Sequence, residues 1–130
     1  MNLFVYGTLL DQEIFQRVTG VRRQGVAGVP AYYERRPVRG EVFPAIIARS
    51  GATVSGLVYA DISPAVMDLL DQYEGELYQR REVVIRLVDH GTVLAETYIL
   101  VDGASHLLAR GVWSLEGFRK KDKKRYPASI

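Results

Sequence analysis

Two β-forming stretches, Tyr78 to Val88 and Val93 to Val101, constrain this chain most. The residues between them, Asp89-His90-Gly91-Thr92, read as a hairpin turn. Further strands are expected at Asn2 to Tyr6, Ala31 to Arg36, Val42 to Ala48 and Thr53 to Ile62. Pro44 restricts its strand to an edge, a bulge or its opening residues, and Gly56 hints at a bulge or a close backbone approach. The region from Val21 to Arg36 is broken by Gly25, Gly28 and Pro30 and reads as irregular and β-like.

Three helices are set apart from these strands. Asp11 can cap the first, with Ile14, Phe15 and Val18 on one face and Gly20 as its stop. Ser63-Pro64 opens the best-signalled one, whose apolar stripe is read as Val66, Leu69, Leu70 and Tyr73 and whose stop is Gly75. Ser114 caps a last helix running through Phe118, with Trp113 as its anchor. Strands joined by short connections, with helices apart, predict an α+β fold: a single small domain with a mixed, barrel-like sheet flanked by about three helices. There is no repeat, no low-complexity segment and no linker that would split the domain.

At 130 residues and 48% hydrophobic content, the chain suits one substantial core. No apolar run approaches the roughly 18 residues needed to cross a bilayer. No basic region precedes the first apolar stretch, so no signal peptide and a cytoplasmic location are expected. Without cysteine there is neither a disulfide nor a thiolate metal site. The net charge of +2 is unevenly spread: residues 119–125 hold six basic residues and one acid, leaving 11 basic and 14 acidic residues elsewhere. The domain is therefore read as residues 1–118, with 119–130 a basic tail. A solvated helix end explains this run better than nucleic acid does, since single-strand binding needs interleaved aromatics and only Tyr126 is present.

Two constellations carry chemistry. In Tyr6-Gly7-Thr8-Leu9, glycine admits a close ligand, and successive amides with the Thr8 hydroxyl can meet a carboxylate or oxyanion. The helix behind Asp11 adds a positive dipole end nearby. A plain strand-to-helix turn also explains these four residues, and no phosphate-loop lysine follows them. Glu74 falls at a helix C-terminus, one turn after Asp71; both influences raise a carboxyl pKa toward the range useful for proton transfer. An ordinary exposed glutamate fits the same position. His90 and His106 lack metal-ligand neighbours one turn away, and Ser55, Ser63 and Ser105 lack a nucleophile-elbow setting. Tyr32, Tyr33 and Tyr78 are read as core residues.

Taken in order, Phe4 to Leu9, Val54-Ser55-Gly56-Leu57-Val58-Tyr59, Leu70 to Gly75 and Tyr78-Gln79-Arg80 resemble the gamma-glutamylcyclotransferase-like family. Val38-Arg39-Gly40, Phe43-Pro44-Ala45-Ile46-Ile47, Trp113 and Phe118 look most like its plant avirulence-induced and bacterial branch. The likeness runs from residue 3 to about residue 118. It implies a small barrel-like fold with no metal and no organic cofactor. It implies that Tyr6, Gly7, Thr8 and Leu9 hold the glutamyl part of a small-molecule substrate and that Glu74 is the acid/base. The implied reaction cyclises a gamma-glutamyl amide to 5-oxoproline and frees the amine. Phe43 departs from the tyrosine that relatives often carry before Pro44-Ala45. The residues leave room for a non-catalytic binder of a small carboxylate, and for an interaction domain using the basic tail. The leaving-amine pocket is expected from loops around Ala31 to Gly40 and Asp102 to Gly111, and the oligomeric state is open.

Overall fold

The computed structural model describes residues 1–88 and 91–126. In order come β1 (Leu3–Val5), α1 (Gln12–Thr19), β2 (Val26–Pro37), β3 (Pro44–Thr53), β4 (Gly56–Tyr59), α2 (Pro64–Glu74), β5 (Tyr78–Leu87), β6 (Gly91–Leu100) and α3 (Leu115–Lys121). Single 3-10 turns lie at Thr8–Leu10, Gly75–Leu77, Ser105–Leu107 and Lys123–Arg125. Among the described residues no helix is long and apolar enough to cross a membrane.

The strand order is β3-β2-β4-β1-β6-β5, and β5 also pairs with β2. Five strands therefore close into a barrel, and β3 extends sideways from β2. The sheet is mixed: β1 runs parallel to β6 at Leu3↔Glu96 and antiparallel to β4 at Phe4↔Val58. The expected hairpin is β5–β6, in register from Tyr78↔Leu100 to Leu87↔Gly91, while Asp89 and His90 of its expected turn lie outside the described residues.

Because β1 is covered on both sides, its sequence is apolar throughout. Leu3 and Val5 join Phe15, Tyr59, Met67, Leu70 and Phe118 in the core between barrel and helices. Phe4 and Tyr6 point the other way, among Ile46, Val58, Ile85 and Ile99. Gly56 lets β4 reach β1: a Cβ there would lie 2.2 Å from the Val5 carbonyl oxygen and 2.6 Å from Cζ of Phe4. The expected close approach is thus real.

Three boundaries depart from the sequence reading. β2 is one continuous strand, because Tyr32 adopts φ 69° and absorbs a register shift between Ala31 and Tyr33. That geometry turns Tyr32 into solvent at 63% exposure, so it is not a core residue. β3 continues to Thr53, which leaves only Gly56–Tyr59 of the strand expected from Thr53 to Ile62.

The helices begin as expected. Asp11 Oδ1 accepts from the Ile14 amide at 3.1 Å, Ser63 Oγ from Val66 at 3.2 Å and Ser114 Oγ from Gly117 at 3.0 Å. Gly20, with φ 74°, ends α1, and Gly75 caps α2. The buried side of α2 is shifted from the stripe read in sequence, however. Met67 and Leu70 are buried, whereas Leu69 is 44% exposed. Trp113 anchors α3 as expected, buried beside Phe118 with Nε1 donating to the Val42 carbonyl at 2.8 Å.

Candidate active site

The end of β1, its following 3-10 turn, the end of α2 and the start of β5 surround one hollow. Its cavity volume is about 60 Å³. Tyr6, Gly7, Thr8 and Leu9 line it, and so does Glu74. The two stretches expected to carry the chemistry therefore meet across one space. Phe43 and Pro44 form another wall, and Tyr73, Tyr78, Tyr98 and Tyr126 complete it.

The Tyr6–Leu9 segment is fixed from several directions. The Tyr6 hydroxyl donates to the Tyr98 carbonyl at 2.6 Å, and the Tyr6 carbonyl accepts from Arg35 Nη1 at 2.8 Å. Arg35 in turn stacks over Trp113, 5.4 Å from the ring centre. Both polar groups of Tyr6 beyond its amide are thereby committed, which makes its side chain a support for the loop. Pro44 packs so tightly on Gly7 that a Cβ there would stand 3.1 Å from its ring. The turn's own bonds run from Leu10 N to Gly7 O and from Asp11 N to Thr8 O. The amides of Gly7, Thr8 and Leu9 are outside that pattern, and the three residues line the hollow.

Glu74 arrives in the hollow by helical phase. It follows Leu70 by four residues and Met67 by seven, so it continues their inward face where another apolar side chain would be the rule. Burial raises its carboxyl pKa from the ordinary 4.5 to about 8. Among the described residues no hydrogen bond or ion pair offsets that desolvation. The cause differs from the one expected. Asp71 is engaged elsewhere, accepting from the Tyr98 hydroxyl at 2.6 Å and lying 3.3 Å from Arg80 Nε. Loss of water, not a neighbouring like charge, holds the Glu74 proton.

Tyrosines supply most of the remaining polar lining. Thr8 Oγ1 and the Tyr73 hydroxyl are 2.7 Å apart, and the Tyr73 hydroxyl contacts that of Tyr126. The Tyr78 hydroxyl donates to the Pro44 carbonyl at 2.7 Å. Burial raises the pKa of Tyr73, Tyr78 and Tyr98, so these phenols stay neutral and act as hydrogen-bonding groups. Tyr78, read as core packing, does pack against the core and is also a wall of the hollow, because β5 starts close after the α2 terminus. Sequence places Tyr73 only in the apolar stripe of α2 and Tyr126 only as the lone aromatic of the basic run, and it gives no sign of Tyr98. The residues 31–40 and 102–111, expected to shape the leaving-amine pocket, do not line this hollow.

Asp11 ties the opening segment to the far end of the chain. Its side chain is 1% exposed, and Oδ2 lies 2.9 Å from both Arg119 Nε and Lys123 Nζ. Burial alone would raise this carboxyl, but hydrogen bonds from Arg119, Lys123 and the Ile14 amide bring it below its ordinary value. The basic run is thus packed against the body through at least two of its cations. The N-terminal end of α1 is also answered by Asp11 itself, not held open for a ligand.

His106 sits in the 3-10 turn Ser105–Leu107, and His90 lies outside the described residues. Among the described residues, no three His, Asp or Glu side chains converge as a metal cage requires.

The family described as "Gamma-glutamyl cyclotransferase, AIG2-like" matches residues 3–115. The "AIG2-like protein C" of Arabidopsis thaliana is 29% identical over 126 residues, spanning 96% of this chain and 73% of that protein. A solution structure of an Arabidopsis thaliana protein superposes with a TM-score of 0.74 at 27% identity, covering 96% of this chain and 76% of the other. A structure titled "Gamma-glutamyl cyclotransferase" gives a TM-score of 0.67 over 77% of this chain and 66% of that one; its 16% identity speaks to the fold alone.

Proposed function

The chain belongs to the gamma-glutamyl cyclotransferase, AIG2-like family, and from that premise we propose that it converts a gamma-glutamyl amide into 5-oxoproline and a free amine. The observation that carries this reading is the shared hollow: a desolvated Glu74 and the Tyr6–Leu9 turn line it together. The reaction is placed in the cytoplasm, on a small-molecule substrate, without cofactor or metal.

The nucleophile is the substrate's own α-amine. Held folded in the hollow, the glutamyl chain brings this nitrogen to its γ-carbonyl carbon, a positioning effect worth up to roughly 7–11 kcal/mol in favourable cases. Glu74 takes the proton that the attacking nitrogen must lose. A carboxyl with a pKa near 8 holds that proton well enough to return it to the departing nitrogen. As the C–N bond breaks, the amine leaves neutral, the five-membered lactam remains and Glu74 is restored. Amides of Gly7, Thr8 and Leu9 are the candidates for stabilising the oxyanion and the substrate carboxylate, at about 2.7–4 kcal/mol for one well-placed donor.

The test is 5-oxoproline release from gamma-glutamyl amino acids, gamma-glutamylamines and glutathione, comparing the parent chain with Glu74→Gln. Product from the parent and loss of at least 100-fold in the variant is expected. Equal rates would remove Glu74 from the role. Binding of a gamma-glutamyl compound without any product would assign the hollow to a non-catalytic binder.

A further inference from the structure

A second hollow of about 330 Å³ adjoins the first and shares Phe43, Tyr73 and Tyr126 with it. Its other walls include Val42, Glu41 and Asp122. Resting on the cyclotransferase reading, we propose that Tyr126 is a specificity-determining residue: with Phe43 and Tyr73 it forms a collar between the glutamyl hollow and this outer one, and the collar limits the width of the leaving amine.

The sizes argue for a division of labour. The inner hollow encloses about 60 Å³, and its walls hold the proposed acid/base and the oxyanion donors. Whatever is bonded to the γ-carbonyl nitrogen must therefore extend outward, and the larger space shares the inner one's three aromatic walls. Tyr126 stands at this passage by construction. Its hydroxyl meets that of Tyr73, which meets Thr8 Oγ1, so a chain of three hydroxyls joins the glutamyl-side loop to the collar. Its ring packs edge-on against Phe118 at 5.3 Å and against Tyr73 at 6.4 Å between centroids. The segment that carries it is fixed on Asp11 by Arg119 and Lys123. A ring braced by two aromatic neighbours resists being pushed aside, and that is what a width filter needs.

The experiment uses two isomeric substrates, gamma-glutamyl-n-butylamide and gamma-glutamyl-tert-butylamide. Their leaving amines have the same atoms and differ in width beside the scissile bond. The readout is the ratio of kcat/KM for the branched over the unbranched amide, measured as 5-oxoproline release. Intrinsic reactivity cancels when variants are compared. Tyr126→Ala raises this ratio at least 10-fold, while Tyr126→Phe, which keeps the ring, stays within 3-fold of the parent. Should the alanine variant not fold by circular dichroism, Tyr126→Leu takes its place with a rise in the same direction. An unchanged ratio in a folded alanine or leucine variant overturns the collar and leaves the cyclotransferase reading intact. No release from either amide by the parent chain, or from the wider panel of gamma-glutamyl compounds, overturns both.

Discussion

Asp11 stands 2.9 Å from Arg119 and 2.9 Å from Lys123 through one carboxylate oxygen, while its other oxygen caps α1. One buried side chain thus starts the first helix and holds the last. Asp11→Ala removes the cap and the carboxylate partner of Arg119, while Lys123 keeps Glu13 at 3.3 Å. The cations are partly exposed and can regain water, so the expected loss is about 2–3 kcal/mol, less than for a fully buried pair. The folded carboxyl has a lowered pKa, so its stabilisation is present above the ordinary value of 3.8 and is lost as the pH falls through the folded value. Thermal unfolding should separate parent and variant widely at pH 7 and bring them closer at pH 3, apart from the cap contribution.

Glu74 gives the opposite sign. Its folded pKa is raised, so the folded state binds the proton more tightly, and folding loses stability as the pH rises from 4.5 toward 8. Glu74→Gln removes the cost of protonating this carboxyl on folding and should stabilise the protein by roughly 3 kcal/mol at pH 7, with little effect at pH 4. Chemical denaturation at the two pH values checks this. In the ligand-free protein, the carbon-13 signal of the Glu74 carboxyl, assigned by its absence from the variant, should titrate with a midpoint near 8. A midpoint near 4.5 would show a hydrated carboxylate.

Gly7 and Gly56 predict different failures. At Gly56 a Cβ would overlap the Val5 carbonyl oxygen, which belongs to the pairing of β1 with β4 and cannot swing away. Gly56→Ala should cost more than about 3 kcal/mol, visible as a loss of soluble protein or a collapsed melting temperature. At Gly7 the new methyl meets the Pro44 ring at 3.1 Å, which a small shift relieves. Gly7→Ala should stay within about 1 kcal/mol of the parent in stability. It should raise KM for a gamma-glutamyl amide at least 10-fold, because both methyl and displaced ring occupy the hollow.

Tyr6→Phe tests whether that hydroxyl supports the loop or touches substrate. Its bond to the Tyr98 carbonyl is buried and 2.6 Å long, and its loss leaves that acceptor unsatisfied. A destabilisation of about 1–2 kcal/mol is expected, with kcat/KM changed less than 3-fold at a temperature where the variant is folded. A large kinetic loss without a stability change would make the hydroxyl a substrate contact.

Much of this architecture is legible in residue order because its signals are local. Asp11, Ser63 and Ser114 each cap the helix that follows, and Gly20 and Gly75 end two of them. Gly56 marks a close approach from sequence because a glycine between β-formers weakens its strand, a cost tolerated where another backbone must come near. The inward turn of Glu74 was legible too, had Met67 and not Leu69 been taken with Leu70 as the buried pair; the four- and seven-residue spacings then carry the stripe onto the carboxylate. What stayed hidden depends on closure of the barrel. Nothing near Tyr98 announces that its carbonyl meets Tyr6 or that its hydroxyl meets Asp71, and nothing near Tyr126 announces Thr8 and Tyr73. Such contacts span tens of positions and are fixed by strand order and by the Asp11 anchor. The basic run read as a solvated end for the same reason: its acidic partner lies near the other end of the chain.

The hollow's wall draws on residues from Phe4 to Tyr126, and β1 finds its neighbours only in β4 and β6. A ribosome must therefore release the chain through Tyr126 before any ligand can be gripped. The opening strand waits, apolar and unmatched, for partners synthesised long afterwards, so nascent chains stalled before β6 would be prone to clump rather than work.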